Sequence, residues 1–311
     1  MQIKVKKLLE KQGYRIIGKH TAIKICLWCK KAIRNENTCY KHKFYGIKSW
    51  RCIQMSPAFL NCLHRCQFCW RYLDYTLAKD VEKPDDPNTI IDGCINAQRE
   101  ILQGFLGNKK IGKKRFYEAM NPKHFALSLA GDACMYPKLP QFIDEIHKRK
   151  MTTFLVTNGT KPEMLKKLLK HKPTQLYITL PAPNKKIYKK ICKPTIKDGW
   201  ERLMESLNLM KNFNRPTIRL TLAKELNMCN VKDYANIIKD LNFKFLECKA
   251  AMPVGYARHR ITYEQMPTHK ELRTFTTKLA ELLKLKIIDE KEESRVFLLS
   301  KKDSADRKLF K

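Results

Sequence analysis

Three cysteines, Cys62, Cys66 and Cys69, stand within eight residues in the run NCLHRCQFCW. Thiolates are metal ligands, so the number and spacing of these three decide what they can hold. A structural zinc site wants four nitrogen or sulfur ligands, commonly as two CxxC-type pairs. The run offers three thiols. His64, its one other ligand type, lies inside the loop and would crowd a metal. Three thiolates suit a 4Fe–4S cluster that leaves one iron without a protein ligand, open to a substrate or cofactor.

A second set lies upstream. Cys26, Cys39 and Cys52 are separated by twelve residues each. Such long, even intervals do not fit a zinc finger, whose ligands come in short pairs. They fit a second cluster held by three thiolates. Cys29 forms a metal-like pair with Cys26, and spacing alone leaves the choice between the two open. The remaining five of the twelve cysteines, Cys94, Cys134, Cys192, Cys229 and Cys248, are scattered. Scattered cysteines ordinarily pack as small hydrophobes.

The 311 residues carry 63 Lys+Arg against 30 Asp+Glu, a net charge of +33. A surface this basic attracts polyanions, of which nucleic acid is the commonest. Lysine enrichment in thermophiles usually comes with glutamate, which does not keep pace here. The opening MQIKVKKLLEKQ reads as a short basic amphipathic helix without the apolar core of a signal peptide. No run of about 18 apolar residues exists to span a membrane. A cytoplasmic protein is expected, and in that reducing setting the cysteines serve metal binding or catalysis before disulfides.

These ligand sets need a scaffold. After Trp70, short apolar β-branched runs alternate with amphipathic helical stretches. Strands are expected at HFALSLAG (124–131), TTFLVTNG (152–159), QLYITLPAP, TIRLTLA and FKFLECKAAMPVG, with helices between them. SPAFLNC, just before the cysteine loop, is expected to be the first strand. EKPDDPN (82–88) reads as a turn-rich loop, and ESRVFLLS (293–300) as a late strand before a basic tail. Six βα units build a parallel sheet with ligands at the carboxyl ends of its strands. Six is short of eight, so the fold class is α/β, an open or partial (βα)6 barrel.

CxxxCxxC after a first strand, with Phe68 before the last cysteine and βα units following, resembles the radical S-adenosylmethionine superfamily. The resemblance implies that the open iron chelates S-adenosylmethionine, which is cleaved to a 5′-deoxyadenosyl radical. The C-x12-C-x12-C spacing, CYKHKFYGIKSWRCIQMSP (39–57), CQFCWR, TNG, PTQLYITL and VGYARHR narrow it. Together they resemble the archaeal tRNA 4-demethylwyosine synthases, over about Lys11 to Leu299. This implies an enzyme, a carbon–carbon lyase. It condenses pyruvate with N1-methylguanosine of phenylalanine tRNA, 3′ of the anticodon, to form 4-demethylwyosine in the wybutosine pathway.

Residue roles follow from the same resemblance. Two 4Fe–4S clusters are implied, one on Cys62, Cys66 and Cys69. The family pattern selects Cys26, Cys39 and Cys52 for the other, leaving Cys29 as an extra. Pyruvate is held by an open iron of the second cluster or by a lysine as a Schiff base. The lysine candidates are Lys41, two residues from Cys39, and then Lys43. Gly131, Asp132, Asn158 and Arg219 are the expected cofactor contacts. The sequence reads GDACMYP where the superfamily usually has Gly-Glu-Pro, and Pro181 stands where an aspartate is expected. Trp70, Tyr72 and Tyr256 are candidates to stack on an extruded anticodon base.

The resulting domain plan is an N-terminal cluster-binding extension (1–44), the partial barrel (45–285) and a C-terminal strand and tail (286–311). No flavodoxin-like stretch is recognised, so a separate electron-donor protein is expected, serving a monomeric enzyme. Two rivals remain: another RNA-modifying radical enzyme of the same fold, and a non-catalytic zinc-containing RNA-binding protein.

Overall fold

The computed structural model describes residues 3–310. Ten strands form one sheet: β1 (Arg15–Ile17), β2 (Thr21–Ile23), β3 (Cys52–Ser56), β4 (His124–Leu127), β5 (Thr152–Thr157), β6 (Gln175–Thr179), β7 (Pro216–Leu222), β8 (Phe245–Ala250), β9 (Lys286–Lys291) and β10 (Val296–Ser300). Their order is β1-β2-β3-β4-β5-β6-β7-β8-β10-β9, and the edges do not meet. β3 to β8 run parallel. Six parallel strands in an unclosed sheet match the expected count, and β4 to β8 fall in the expected runs. An antiparallel pair flanks each side, so residues 286–300 extend the same sheet.

Among the described residues, eleven helices accompany the sheet. They are α1 (Ile3–Lys11), α2 (Leu27–Ile33), α3 (Tyr40–Tyr45), α4 (Pro87–Gln103), α5 (Lys113–Ala119), α6 (Leu139–Lys148), α7 (Pro162–Leu168), α8 (Lys185–Cys192), α9 (Gly199–Leu209), α10 (Val231–Ile238) and α11 (His269–Leu283). None of them is long and apolar enough to cross a membrane.

Side chains alternate across a strand, and here the alternation separates two interiors. Ile53, Phe125, Leu155, Leu176, Ile218, Leu246 and Phe297 enter the main core beneath the crossover helices. Their strand neighbours face the other way. Phe154, Tyr177, Phe245, Val296 and Leu298 pack there against Tyr40, Phe44 and Tyr45 of α3. Helix α3 thus plugs one end of the inner face. Beyond the plug the inward positions turn polar or small: Cys52, Gln54, Ala126, Ser128, Arg219, Thr221 and Lys249 line a cavity of about 360 Å³.

Two expectations need correction. SPAFLNC is not the first strand. That strand is β3, one segment earlier, and it ends at Ser56 because Pro57 has no N–H to continue a ladder. Ala58 and Phe59 are buried in the turn that follows, which is why the run looks apolar. EKPDDPN is a loop only in part. Asp86 caps α4, accepting from the Asn88 and Thr89 amides, and Pro87 takes the first helical position, where a missing N–H costs nothing.

Candidate active site

The Cys62–Cys69 loop has no regular secondary structure and is held from outside. On one side the Arg65 amide donates to Cys192 O (2.8 Å) and the Gln67 amide to Ile191 O (2.9 Å), both at the end of α8. On the other the Tyr256 amide donates to Trp70 O (2.9 Å). The Arg260 guanidinium donates to the carbonyls of Gln67, Cys69 and Arg71. Gly255 makes this approach possible. Its φ is +56°, and a Cβ there would lie 2.5 Å from Trp70 O. The VGYARHR segment is therefore the clamp of the loop.

The sulfur of Cys62 accepts from the His64 amide (3.4 Å) and from Asn158 Nδ2 (3.5 Å). Burial pushes its thiol up to about 12, against the pull of Arg71. Burial also raises the Cys69 thiol, opposed first by Arg71. Metal coordination requires the thiolate, so ligation must displace these protons. N–H donors to sulfur and guanidinium groups behind it fit an anionic iron–sulfur group. His64, Cys66 and Cys192 bring ligand atoms within 4.8 Å of one another. The His64 ring is anchored there by Tyr188 Oη at 2.6 Å.

Gly131, Asp132 and Asn158 gather beside Cys62. Gly131 has φ +67°, and a Cβ would meet Ala58 O at 2.0 Å. The Asp132 carboxylate accepts from Cys134 N (2.9 Å), Thr157 Oγ1 (2.8 Å) and Asn158 N (2.9 Å). With Ala133 in place of proline, this buried carboxylate ties the β4 turn to the end of β5 and so sets the position of Asn158. Pro181 is buried, and its carbonyl accepts from Asn227 Nδ2 (2.7 Å).

Arg219 lies elsewhere. It donates to Glu247 through Nε and Nη2 (3.0 and 2.8 Å) and to Tyr40 Oη (2.8 Å). Glu247 is fully buried and also accepts from Tyr45 Oη (2.6 Å). Arg219 thus belongs to the cavity wall near α3 and not to the group around Cys62. An ion pair this deep requires its extra hydrogen bonds to offset desolvation, and the two tyrosines supply them.

Cys26, Cys39 and Cys52 converge on that same cavity. Cys26 and Cys39 hold the N-cap positions of α2 and α3 without capping through sulfur, and Cys52 opens β3. Cys29 borders the cavity too, but it packs into a separate apolar cluster and donates its S–H to Trp50 O. Lys41 is 8% exposed, with Nζ 4.8 Å from the ring centroids of both Phe154 and Tyr177. Burial, and next the Arg219 charge, lower its pKa. Lys43 points away and pairs with Asp289 at 3.1 Å, so only Lys41 of the two reaches the cavity.

Trp70 lines the cavity and stacks on Tyr14 at 6.2 Å. Tyr72 and Tyr256 pack on each other at 4.8 Å and are not part of its lining. Three contributors escaped the sequence reading: Glu247, Lys249 and Trp28. For the first two the signal was present as alternation along FLECKA, but it has no meaning until the buried face is known.

The Radical SAM superfamily model matches residues 57–238 and the wyosine base formation model residues 242–301. The chain is 44% identical, over 97% of its length and 90% of the relative's, to the S-adenosyl-L-methionine-dependent tRNA 4-demethylwyosine synthase of Pyrococcus abyssi. The chain belongs to the tRNA 4-demethylwyosine synthase family. Two solved structures of that family match 99% of both chains. A TYW1 with a lysine–pyruvate adduct bound has TM-score 0.90 at 34% identity. An archaeal TYW1 has TM-score 0.80 at 31% identity. As a radical enzyme of the synthase family, the chain uses S-adenosylmethionine and a 4Fe–4S cluster. The VGYARHR clamp falls in the segment matched by the wyosine model, so the synthase-specific part braces the radical part.

Proposed function

We propose that this chain forms 4-demethylwyosine in phenylalanine tRNA by joining pyruvate to N1-methylguanosine 3′ of the anticodon. The observation that carries this reading is the single cavity. Phe68 and Trp70 of the cysteine loop border it, and so do Cys26, Cys39, Cys52 and Lys41. Cys62, Cys66 and Cys69 hold the cluster that, with S-adenosylmethionine, supplies a 5′-deoxyadenosyl radical when bound. Gly131 and Asn158 position the cofactor beside Cys62. Arg219 acts from the cavity wall and holds Glu247. Cys26, Cys39 and Cys52 hold a second 4Fe–4S cluster, while Cys29 packs into the protein.

Lys41 captures the 2-oxoacid. Its neutral amine attacks the carbonyl carbon, water leaves, and the imine fixes the substrate in the cavity. Burial and the neighbouring guanidinium favour the neutral amine this needs. The relative with a lysine–pyruvate adduct supports the reading. The basic surface receives tRNA through its phosphates, and Trp70 is the aromatic best placed for an extruded base. Residues 1–44 act as the cluster-binding extension, 45–285 as the radical barrel and 286–311 as the closing strands and tail. The enzyme works as a cytoplasmic monomer with a separate electron-donor protein.

The test is borohydride reduction with pyruvate, followed by peptide mass analysis, alongside product assay on N1-methylguanosine tRNA. The expected result is an adduct on Lys41, none in Lys41→Ala, and a tricyclic base only in the wild type. A tricyclic base made by Lys41→Ala would overturn the imine.

A further inference from the structure

The basic side chains lining the cavity are Lys41, Arg219 and Lys249. Arg219 is neutralised by Glu247 at 2.8 Å. The other two are not. Among the described residues neither ammonium meets a carboxylate within salt-bridge distance or a hydrogen-bond acceptor. Both stand over aromatic rings: Phe154 and Tyr177 for Lys41, and Tyr40, 5.2 Å away, for Lys249. A half-buried ammonium such as that of Lys249, with no carboxylate or hydrogen-bond acceptor of its own, is costly. Such a site is suited to a bound anion.

Position separates the two lysines. Lys41 rises from α3 into the ring-lined end of the cavity. Lys249 comes from the last turn of the sheet alternation on β8, opposite Thr221 of β7. It is half-buried, and Met252 and Val254, which line the same cavity, follow it in sequence. A 2-oxoacid carries a carbonyl and a carboxylate on adjacent carbons. An imine to one lysine leaves the carboxylate beside it, still charged and in need of a partner. Arg219 is already committed to Glu247 through two nitrogens.

We propose that Lys249 is the positioning residue for the substrate carboxylate: its ammonium receives the carboxylate of the 2-oxoacid that Lys41 captures. This rests on the pyruvate reading above. It also explains selectivity, because a neutral ketone would leave the Lys249 ammonium without a carboxylate partner.

The experiment is borohydride trapping on anaerobically reconstituted protein, with the adduct followed by intact mass against ligand concentration. Pyruvate and its uncharged methyl ester are compared in wild type, Lys249→Met and Lys249→Arg. In the wild type, pyruvate should half-saturate trapping at lower concentration than the ester. Lys249→Met should raise the pyruvate value by at least about tenfold, as for loss of one partner of a desolvated charge pair. The ester value should not move, and Lys249→Arg should recover most of the difference. Iron content and S-adenosylmethionine cleavage should match wild type in both variants. An unchanged pyruvate value in Lys249→Met would overturn the inference while leaving the Lys41 imine intact. So would an adduct fixed on Lys249 itself, or loss of about half the iron, which would make Lys249 a partner of a cluster. A wild type that forms no adduct overturns the pyruvate reading and this inference with it.

Discussion

Cys62, Cys66 and Cys69 come from one irregular loop, whereas Cys26, Cys39 and Cys52 open three different elements. The loop is short enough that sequence alone brings its thiols together. Leu63 enters the main core and Cys66 and Phe68 pack against it, but the loop holds no regular element. Its order is imported from α8 and from the Tyr256 and Arg260 clamp, nearly two hundred residues away. The even triad is the reverse. Its cysteines meet only because α2, α3 and β3 are packed around one cavity, so its order depends on the core beneath it. A local ligand set is vulnerable to loss of a distant brace; an assembled one is vulnerable to loss of packing.

That contrast can be broken directly. Cys66→Ala should abolish S-adenosylmethionine cleavage, measured as 5′-deoxyadenosine released under reducing, anaerobic conditions. Cys94→Ala, whose thiol sits in the main core, should still cleave. Retained cleavage in Cys66→Ala with iron still bound would remove that loop from the radical chemistry.

Packing beneath the triad comes next. Phe44 is fully buried between α3 and the sheet. Phe44→Ala should cost about 3–5 kcal/mol of stability, the usual range for a buried aromatic. It should lower iron at the Cys26, Cys39 and Cys52 site before it affects cleavage. Denaturant unfolding and iron analysis read both effects. Equal loss from both sites would show that the two depend on the same packing.

The brace on the loop gives the smaller effect. Gly255→Ala forces a left-handed backbone and a Cβ onto Trp70 O. It should cost about 1–3 kcal/mol and slow cleavage while leaving triad iron in place. Unchanged cleavage would mean that the loop holds its own shape.

The same difference decides what could be read in advance. Cys62, Cys66 and Cys69 read as a ligand set because eight residues suffice to state their spacing. Strands β4 to β8 were legible because burial on both faces writes them as apolar runs, whereas β3 was placed one segment late. Strands β1 and β2 were not, since three residues each carry no measurable period. Strand β9, KIIDEK, is only partly buried and reads as polar. The helix α8, KKIYKKIC, hides its buried Tyr188, Ile191 and Cys192 among four lysines. In the cavity wall, Lys41 was named through its nearness to Cys39. Lys249 was not, because its place in the wall depends on which face of β8 looks into the cavity, and that is settled by α3 packing on the other end of the sheet.

The central claim is a division of labour between the two cysteine sets. It is tested most directly by the Cys26/Cys39/Cys52 triple alanine variant, reconstituted anaerobically beside the wild type. Iron per chain, S-adenosylmethionine cleavage and tricyclic base in tRNA are measured on the same samples. About eight irons are expected in the wild type and about half as many in the variant, as for loss of one of two similar clusters. The variant should still cleave S-adenosylmethionine and make no tricyclic base. A variant that keeps full iron, or that still makes the base, would contradict that division.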